Sequence, residues 1–548
     1  MSLVDQHSRT DPLTRVGELL DTYGSPDAAA AELLCDSHPA DAHAYQVVDR
    51  DLSIQHLTYG DLREASERFA AGLAELGVRP GDRVATLLGK SVEQLVALLG
   101  IWRIGAVQVP LFTAFAPPAV EMRLAASRAK VVLCDAEQRS KLVRDEPAEW
   151  RIVVVGGAGE LGDESFAELL ARQSTGFPAA RLGGDAPLLH TFTSGTTGKP
   201  KGLEVPLRAL ASFHCYMEFG LDVRPEDTFW NAADPGWSYG LYYGILGSLC
   251  TGVPSVLLRG GFSAELTFDV LSELEVTNFA AAPTVYRSLR AAGLTAPRKL
   301  RLRAASAAGE PLTPEVNDWA REALGVPVHD HYGQTETGML INNHHQPSLR
   351  RPLKTGSMGR PMPGWTAVVL RDGANEPAEP GVAGQIACDL SASPLAWFRG
   401  YVGEPEKSKE KFSEDDRWYL TGDSGYLDDE GYFRFVSRDD DIIIMAGYRI
   451  GPFDVESALV VHPEVTEAAV IAAPDEIRGE VLEAYVVLRD GQGGDAGLER
   501  ELQQLVKTKY SAHAYPRRVH FVPELPKTPS GKIKRYVLRQ RRRAEAGE

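Results

Sequence analysis

One loop near the middle of the chain combines glycines, hydroxyl side chains and lysines. Residues 193–202 read Thr-Ser-Gly-Thr-Thr-Gly-Lys-Pro-Lys-Gly and follow an apolar run, 186–192, that predicts a buried strand. Glycines let backbone amides approach an anion closely, and hydroxyls and an ammonium can complete its shell. The spacing is not that of the P-loop, because no Gly-Lys-Ser/Thr stands at the required distance. The loop therefore predicts a polyphosphate site, with a flexible polar turn as the alternative.

Length and charge limit the class of protein. A chain of 548 residues exceeds what one hydrophobic core usually supports, so more than one domain is predicted. The formal net charge of −17 and the isoelectric point near 5.3 mean that the surface as a whole repels nucleic acid and anionic membranes. We therefore expect no nucleic-acid partner.

Cysteine usage and apolar runs bear on the compartment. The five cysteines, Cys35, Cys134, Cys215, Cys250 and Cys388, form no Cys-x-x-Cys pair, which favours reduced, buried thiols over disulfides or zinc. The N-terminus lacks the pattern of a signal peptide, and no apolar run has spanning length. We predict a soluble cytoplasmic protein with no membrane span.

Hydrophobic periodicity predicts an α/β fold. Thr58 to Asp61 has the form of a helix start. Strands and helices then alternate as strand 83–88, helix 91–104, strand 106–110, and strands 129–135 and 151–155. We predict a large N-terminal domain, residues 1–438, of parallel and mixed sheets flanked by helices. The remaining pattern, residues 439–548, predicts a small mobile C-terminal α+β domain.

Residues 329–338, His-Asp-His-Tyr-Gly-Gln-Thr-Glu-Thr-Gly, are a second segment rich in ligand groups. Tyr332 offers a flat face for adenine, and Gln334 and Thr335 offer hydrogen bonds. Glu336 offers the kind of oxygen ligand that Mg²⁺ prefers beside substrate phosphates. His329 and His331, and the adjacent His344 and His345, do not have convincing zinc spacing. An exposed polar loop is the alternative.

Two further loops are candidates for chemistry. The strand 302–307 delivers Ala-Gly-Glu-Pro at 308–311, a turn well placed for adenine beyond the carboxyl end of a strand. Lys532 lies in a Pro/Gly/Ser loop, 526–535, from which it can be inserted into a distant cleft. Alternatively, Lys532 begins a solvated basic tail, 532–543, part of which could attract the phosphates of coenzyme A.

Five motifs of this chain, among them residues 193–202, 329–338, 419–423 and 526–535, stand in the expected order and resemble those of the adenylate-forming superfamily. That superfamily comprises acyl-CoA synthetases, peptide-synthetase adenylation domains and luciferases. The resemblance covers residues 58–535 and is closest to medium-chain acyl-CoA synthetases and acetyl-CoA synthetase-like enzymes. It implies ATP, Mg²⁺ and coenzyme A as cofactor and substrates, and a C-terminal domain that rotates between two half-reactions.

The resemblance also implies residue roles. Lys532, Glu336 and Thr196 are the implied catalytic residues, and Glu336 and Thr196 the metal ligands. The implied ATP and AMP ligands are Thr193, Ser194, Gly195, Thr196, Thr197, Gly198, Lys201, Gly309, Glu310, Pro311, Asp330, His331, Tyr332, Gly333, Gln334, Thr335, Asp423, Arg438 and Arg449. Among them, Asp423 is the implied ligand of the ribose hydroxyls, and Arg438 is the implied ribose and phosphate ligand. The implied coenzyme A contacts are Ala446, Gly447 and Tyr448, and the implied hinge residue is Asp440.

The acyl pocket is implied to consist of Trp237, Ser238, Tyr239, Ala308 and Gly333. Amino-acid-activating relatives keep an Asp near Tyr239, so an amino-acid substrate is disfavoured. Acetyl-CoA synthetases place Trp at the position of Gly333, and glycine there predicts room for a longer acyl chain. Tyr239 can instead fill that volume and favour short, branched or aromatic acids.

The expected activity is an ATP-dependent, AMP-forming acyl-CoA synthetase for a medium-chain or short branched fatty acid. Alternatives are an acetyl- or propionyl-CoA synthetase and a stand-alone enzyme that loads a carrier protein. A luciferase-like oxygenase and a non-catalytic nucleotide-binding protein are less favoured. A lysine acyltransferase or deacylase acting on Lys532 is a further expected partner, and monomer and homodimer both stay open.

Overall fold

Four β-sheets organise the described part of the chain. The structure is a computed structural model that describes residues 11–142, 150–157, 159–193, 200–371, 373–438, 441, 443–445, 448–475, 479–489, 494–510, 515–528 and 531–546. Its strands are β1 (His43–Val48), β2 (Ile54–Thr58), β3 (Arg83–Leu87), β4 (Val107–Pro110), β5 (Val131–Asp135), β6 (Arg151–Val155), β7 (Glu164–Ser165), β8 (Pro187–Thr193), β9 (Lys201–Pro206), β10 (Phe229–Asn231), β11 (Ser255–Leu258), β12 (Asn278–Ala281), β13 (Ala304–Ala308), β14 (Val328–Gln334), β15 (Gly338–Asn342), β16 (Arg360–Pro361), β17 (Ala367–Leu370), β18 (Gly384–Asp389), β19 (Trp418–Leu427), β20 (Phe433–Arg438), β21 (Ile443–Met445), β22 (Tyr448–Ile450), β23 (Val465–Asp475), β24 (Gly479–Leu488) and β25 (Arg518–Phe521).

Helices cover these sheets. They are α1 (Pro12–Tyr23), α2 (Tyr59–Glu75), α3 (Val92–Arg103), α4 (Pro117–Ser127), α5 (Phe166–Ala171), α6 (Leu210–Cys215), α7 (Ser248–Thr251), α8 (Ala264–Glu273), α9 (Pro283–Ala292), α10 (Pro314–Ala323), α11 (Pro405–Lys409), α12 (Pro452–Leu459), α13 (Ala496–Lys509) and α14 (Arg535–Ala546). The predicted start of α2 is confirmed: Asp61 N donates to Thr58 Oγ1 at 3.1 Å, and Thr58 N donates to Asp61 Oδ2 at 2.9 Å. This reciprocal pair satisfies two backbone donors that the helix itself leaves free.

A seven-stranded sheet carries the glycine-rich loop. Its order is β7-β6-β5-β3-β4-β8-β9, parallel throughout except for the antiparallel pair of β8 and β9. Thr193 pairs with Lys201 at the open end of that pair. The loop therefore projects from a hairpin whose two strands are joined by a ladder of backbone bonds.

A nine-stranded sheet brings the other predicted nucleotide segments to one edge. Its order is β16-β15-β14-β13-β12-β10-β11-β1-β2, and the strands from β14 to β1 in this order run parallel. At the carboxyl ends of β13 and β14, Ala308 pairs with His331, so Gly309 and Gln334 follow at the same edge of the sheet, as expected for ligand sites in open α/β sheets.

The third sheet is antiparallel and has four strands, β17-β18-β19-β20. We call the three sheets up to Arg438, with their helices, the larger unit, and the part of the chain from Ile443 onwards the smaller unit. In the register of the third sheet Asp423 on β19 pairs directly with Arg438 on β20. Two residues predicted to bind the ribose are thus neighbours through the backbone.

The smaller unit has a sheet and a core of its own. The strand order is β22-β21-β24-β23, with β25 paired to β24. Leu459, Leu482, Val486, Leu502 and Val506 are fully buried in its hydrophobic cluster. The predicted fold class, a large mixed-sheet α/β unit with a small C-terminal unit, is confirmed, and the sheet changes between Arg438 and Ile443. None of the helices in the described ranges is long and apolar enough to cross a bilayer.

Candidate active site

The cleft between the two units contains a network of paired side chains. Tyr332 OH and Gln334 Nε2 both donate to Asp423 Oδ2, at 2.5 and 2.7 Å. Gln334 Nε2 also lies 2.9 Å from Thr421 O, and Tyr419 OH donates to Gln334 Oε1 at 2.7 Å. We call these four side chains, Tyr332, Gln334, Tyr419 and Asp423, the ribose floor, after the predicted role of Asp423.

The electrostatics of the ribose floor keep its protons in place. Burial, followed by the charge and hydrogen bond of Asp423, raises the pKa of Tyr332 well above its ordinary value. Burial also raises the pKa of Tyr419 well above normal. Both phenols therefore stay protonated and can donate throughout the neutral range. Arg438 Nη1 lies 3.9 Å from Asp423 Oδ1, so a cation stands beside the second oxygen of this carboxylate.

Glu336 belongs to the same site, because its charge and that of Asp423 both act on Lys532. Its Oε1 accepts a hydrogen bond from Tyr401 OH at 2.7 Å, and Lys201 Nζ lies 4.9 Å from the centre of the Tyr401 ring. Glu336 is buried, and Oε2 accepts no hydrogen bond from any residue that the structure describes. A carboxylate oriented by a tyrosine, with one oxygen uncommitted, fits the ligand set that Mg²⁺ takes beside phosphates.

Lys532 reaches this cleft from the smaller unit. Its loop is closed by backbone bonds, since Thr528 N donates to Lys532 O at 2.7 Å and Gly531 N to Thr528 O at 2.9 Å. The ammonium lies 6.0 Å from the centre of the Trp237 ring. Burial, then the charge of Arg438, lowers the pKa of Lys532, while Glu310, Asp423 and Glu336 oppose that shift. The structure thus brings Lys532 together with residues at least 94 positions away in the sequence.

The predicted acyl pocket is built from aromatic rings. A Cβ added to Gly309 would lie 2.7 Å from the Trp237 ring, so the turn with φ of +99° packs directly on that indole. Ser238 Oγ donates to Thr335 Oγ1 at 3.3 Å, which ties the pocket to the nucleotide segment. Tyr239 is 3% exposed, and Ala308 is fully buried. Trp237 therefore lies next to Gly309, Tyr239 and Lys532.

A hydrogen-bonded chain leads from this pocket into the core. Tyr239 OH lies 3.2 Å from Tyr216 OH, which lies 2.7 Å from His331 Nδ1, and His331 Nε2 lies 3.1 Å from Asn343 O. Burial lowers the pKa of His331 well below its ordinary value, so the ring is neutral. A carbonyl can only accept, so Nε2 carries the proton and Nδ1 accepts from Tyr216. Both nitrogens of His331, a predicted nucleotide ligand, are therefore engaged within the protein.

Three histidines that lack zinc spacing in the sequence do meet in the fold. Ring nitrogens of His329, His331 and His345 lie within 4.8 Å of one another. The rings of His329 and His345 are stacked 3.7 Å apart at 13°, so their lone pairs run parallel instead of converging. His329 Nδ1 donates to Asn343 O at 2.6 Å, and His345 Nε2 lies 3.2 Å from Ala305 O. This arrangement is that of hydrogen-bonded core histidines.

Gly333 does not border open space in the direction of a side chain. A Cβ there would lie 2.2 Å from Gly338 O and 2.6 Å from Met339 Cα, at the bulge between β14 and β15. The expectation that glycine simply vacates the volume of an indole therefore needs a correction. In this backbone a larger residue also requires the hairpin to move.

The turn at 308–311, which is predicted to bind adenine, holds its acidic residue through contacts with α9. The two oxygens of Glu310 are paired with Thr284 and Arg287 on α9. Pro311 follows it, and Asp330 Oδ2 accepts from Leu312 N at 3.4 Å at the end of this turn. Burial raises the pKa of Asp330 to about 8.

Several predicted site residues lie outside the described residues. They are Ser194, Gly195, Thr196, Thr197, Gly198, Asp440, Ala446 and Gly447, together with the side chains of Tyr448 and Arg449. The flanks of the glycine-rich loop, Thr193 and Lys201, are described and pair with each other.

Two profile matches cover most of the chain. The family described as AMP-binding enzyme matches residues 34–402, and the AMP-binding enzyme C-terminal domain matches residues 454–532. The chain belongs to the family of AMP-binding enzymes. The resemblance inferred from the motifs is therefore confirmed.

Relatives of this AMP-binding enzyme are similar over nearly its whole length. The acetyl-coenzyme A synthetase of Bacillus subtilis (strain 168) is 38% identical over 504 residues, which cover 90% of this chain and 86% of that protein. The mitochondrial acyl-coenzyme A synthetase ACSM4 of Homo sapiens is 36% identical over 491 residues, 88% of this chain and 83% of that protein.

Solved structures give the same result. The acyl-CoA synthetase of Brucella canis has 42% identity and a TM-score of 0.75, covering 100% of this chain and 99% of that chain. The anthranilate CoA ligase AuaEII, solved with anthranoyl-AMP, has 28% identity and a TM-score of 0.85 over 95% and 99% of the chains. The prediction of an AMP-forming acid–thiol ligase that uses ATP, Mg²⁺ and coenzyme A is confirmed at this level.

The sequence analysis does not predict that Lys411 lies beside the ribose floor of this AMP-binding enzyme. Lys411 Nζ donates to Thr421 O at 2.8 Å, the carbonyl that also accepts from Gln334. Burial lowers the pKa of Lys411, with Glu336 and Asp423 acting in the opposite direction. Lys411 follows a short charged helix that is typical of solvated surface, so nothing in the sequence pattern distinguishes it from Lys407 or Lys409.

Proposed function

We propose that this enzyme joins a medium-chain or short branched carboxylic acid to coenzyme A through an acyl-adenylate, with AMP and diphosphate as products. The observation that carries the proposal is the position of Lys532, 6.0 Å from the ring of Trp237 in the predicted acyl pocket. The same ammonium is influenced by Asp423 and Glu336 of the predicted nucleotide site. One amine therefore stands between the groups expected to hold the two reactants.

In the first half-reaction the acid's carboxylate attacks the α-phosphorus of ATP. The nucleophile is already ionised, so no general base is needed. The barrier lies in bringing two anions together and in stabilising charge on the phosphate oxygens. Lys532, Lys201 and the loop 193–202 supply positive charge and backbone donors for this purpose, and the ribose floor holds the nucleotide in register. Glu336 and Thr196 would hold Mg²⁺, which supplies charge neutralisation on the phosphates.

In the second half-reaction the thiol of coenzyme A attacks the acyl-adenylate. We propose that residues 1–438 and 439–548 act as two domains and that the smaller one rotates at Asp440 between the steps. Lys532 then withdraws, and Ala446, Gly447 and Tyr448 line the path of the thiol, with Arg449 near phosphate. The separate hydrophobic core of the smaller unit supports its movement as one body.

The proposed chain length rests on Trp237, Ser238, Tyr239, Ala308 and Gly333. Each buried methylene contributes about 0.8 kcal/mol, so space for a few carbons shifts the preference well away from acetate. Tyr239 packs against Tyr216 and Tyr243 and occupies part of the space behind the pocket, which favours short or branched acids over long straight ones. An acetyl- or propionyl-CoA synthetase is the second candidate, because the aromatic cluster limits depth.

The comparison of acids and acceptors tests this proposal. Carboxylic acids from two to twelve carbons, including branched and aryl members, are assayed for acyl-CoA formation with coenzyme A and with a carrier protein as acceptor. We expect the highest kcat/KM for a branched or medium-chain acid with coenzyme A. A maximum at acetate would favour the second candidate, and a strict requirement for the carrier would overturn the proposal.

We also propose the location, the oligomeric state and a regulatory modification of the enzyme in the cell. We infer a cytoplasmic enzyme, monomeric or homodimeric. Acylation of Lys532 by a lysine acyltransferase, reversed by a deacylase, would switch off the first half-reaction, because it removes the charge that the phosphates need. An enzyme that is quantitatively acylated at Lys532 and still forms the adenylate would exclude this.

A further inference from the structure

Three side chains of the larger unit form a cluster directly beneath the loop that carries Lys532. Thr284 Oγ1 donates to Glu310 Oε1 at 2.7 Å, and Arg287 Nη2 donates to Glu310 Oε2 at 2.5 Å. Arg287 Nη2 also lies 2.9 Å from Thr284 Oγ1. We call Thr284, Arg287 and Glu310 the seat. Each member contacts the other two, so their positions are mutually fixed.

The lysine loop lies on the seat through the backbone of Gly531. This residue has φ of +91°, a conformation that glycine adopts without strain. A Cβ added to Gly531 would lie 3.5 Å from Thr284 Oγ1 and 3.6 Å from Glu310 Oε1, which is ordinary contact distance. The Cα of Gly531 therefore faces the hydroxyl and the carboxylate of the seat, with space for a methyl group between them.

The two units also meet beside the seat. A cavity of about 70 Å³ is lined by Thr284 and Arg287 of the larger unit and by Val460, Val465 and Glu467 of the smaller one. The side chain of Glu310 is 15% exposed, so solvent and salt screen its charge only weakly. That charge also favours the protonated form of Lys532. The seat thus faces the smaller unit at Gly531 and across this cavity.

We propose that the seat positions Lys532 for adenylate formation and that Glu310 acts through this loop instead of through adenine. The proposal rests on the proposed function, since it assigns the contact to one half-reaction. Thr284 and Arg287 hold both oxygens of Glu310, and Oε1 lies on the side of the seat that faces Gly531. When the smaller unit rotates, the seat loses this contact, and the second half-reaction proceeds without it.

Arg287→Met tests the proposal, because it removes the guanidinium that holds Glu310. We expect kcat for ATP–pyrophosphate exchange to fall roughly tenfold, as for a misplaced catalytic group. KM for ATP should change less than about twofold, and acyl-CoA formation from supplied acyl-adenylate should be unchanged. Arg287→Lys should recover part of the exchange rate. Arg290→Met is the matched control, since Arg290 lies one turn further on α9 and pairs with Glu315 at 3.7 Å.

A double-mutant cycle separates positioning from general damage. If the seat acts through Lys532, Arg287→Met should cause no further loss of single-turnover adenylation in a Lys532→Ala background. Multiplying losses would overturn the proposal. A rise in KM for both ATP and acyl-adenylate would also overturn it, because that is the behaviour of an adenine ligand.

The outcome is distinguishable from failure of the proposed function. The exchange assay needs only ATP, diphosphate and the acid. A wild-type enzyme that exchanges diphosphate but makes no acyl-CoA would contradict the proposed function. The double-mutant cycle at Arg287 and Lys532 would still test the role of the seat, because it measures adenylation alone. Loss of exchange in Arg290→Met equal to that in Arg287→Met would refute the seat alone.

Discussion

The ribose floor and the lysine loop face the same cleft but are built in opposite ways. In the floor, Tyr332, Gln334, Tyr419 and Asp423 bond one another at distances of 2.5 to 2.7 Å. Lys532 has no hydrogen-bond partner for its ammonium among the described residues, and burial lowers its pKa. The floor is paired in advance of any ligand, whereas the loop brings an unpaired charge.

This difference indicates how the two parts are used. A network that is complete before binding needs no reorganisation when the nucleotide arrives, so it can serve both half-reactions. A partly desolvated ammonium without an anion is unfavourable, so we expect bound phosphate to favour the position of Lys532 in the cleft and loss of phosphate to favour its withdrawal. We therefore expect floor substitutions to affect both half-reactions and loop substitutions to affect one.

Lys532→Ala is the strongest test of the comparison. Removing the ammonium should lower adenylate formation by about 10²–10³-fold, the usual cost of losing one group that stabilises a transition-state oxyanion. Thioester formation from supplied acyl-adenylate should be retained. Stopped-flow or quenched measurements of the two half-reactions, made separately, check this. Lys534→Ala, two residues along the same loop, is the control, and equal losses in both half-reactions would refute the assigned role.

Asp423→Asn should break the other side of the comparison. The substitution removes the charge that accepts hydrogen bonds from Tyr332 and Gln334, and bonds to a charged group contribute about 1.5–3 kcal/mol. We expect both half-reactions to lose about 10–100-fold in kcat/KM, with ATP and acyl-adenylate affected alike. Asp416→Asn, at an exposed turn with φ of +53°, should leave both rates near wild type. A loss confined to adenylation would show that the floor does not serve both steps.

Gly333→Trp sharpens the comparison at the predicted acyl pocket, because Gly333 lies between Tyr332 and Gln334 of the ribose floor. The indole should shorten the preferred acid towards acetate, and the contact of its Cβ with Gly338 O should destabilise the β14–β15 hairpin by about 1–3 kcal/mol. The ratio of kcat/KM for two- and six-carbon acids, together with thermal unfolding, gives both effects. An unchanged chain-length profile would remove Gly333 from the acyl pocket.

The sequence predicts the parts of this molecule whose chemistry is local. Thr58 and Asp61 form a capping box within one turn, and the predicted edge at Gly309 and Gln334 follows from the direction of parallel strands. The loop and family motif of Lys532 predict that it enters the nucleotide site, and its catalytic role stays a prediction.

Pairings between distant residues could not be predicted in this way. Glu310 has the sequence context of an adenine ligand, but its partners Thr284 and Arg287 precede it by more than twenty residues on α9. His329 and His345 come together because β14 and the segment after β15 are neighbours, which no spacing rule contains. Lys411 is held by the carbonyls of Leu420 and Thr421 on β19. In each case the partner is chosen by the tertiary fold.

Asp330 gives the test with the smallest expected effect. Unlike Asp423, which accepts hydrogen bonds from the side chains of Tyr332 and Gln334, its carboxyl accepts one from a backbone amide. It accepts from Leu312 N at 3.4 Å, and burial raises its pKa to about 8. A carboxyl whose folded pKa exceeds its unfolded value of about 3.9 binds its proton more tightly when folded. The unfolding free energy contributed by Asp330 is therefore highest below pH 4 and falls as pH rises towards 8. Asn does not titrate, so the stability of Asp330→Asn relative to wild type should increase between pH 5 and 9 by at least about 1 kcal/mol. Urea unfolding at each pH, with an unchanged denaturant slope, measures this difference, and a flat difference would mean that Asp330 ionises as easily in the fold as outside it.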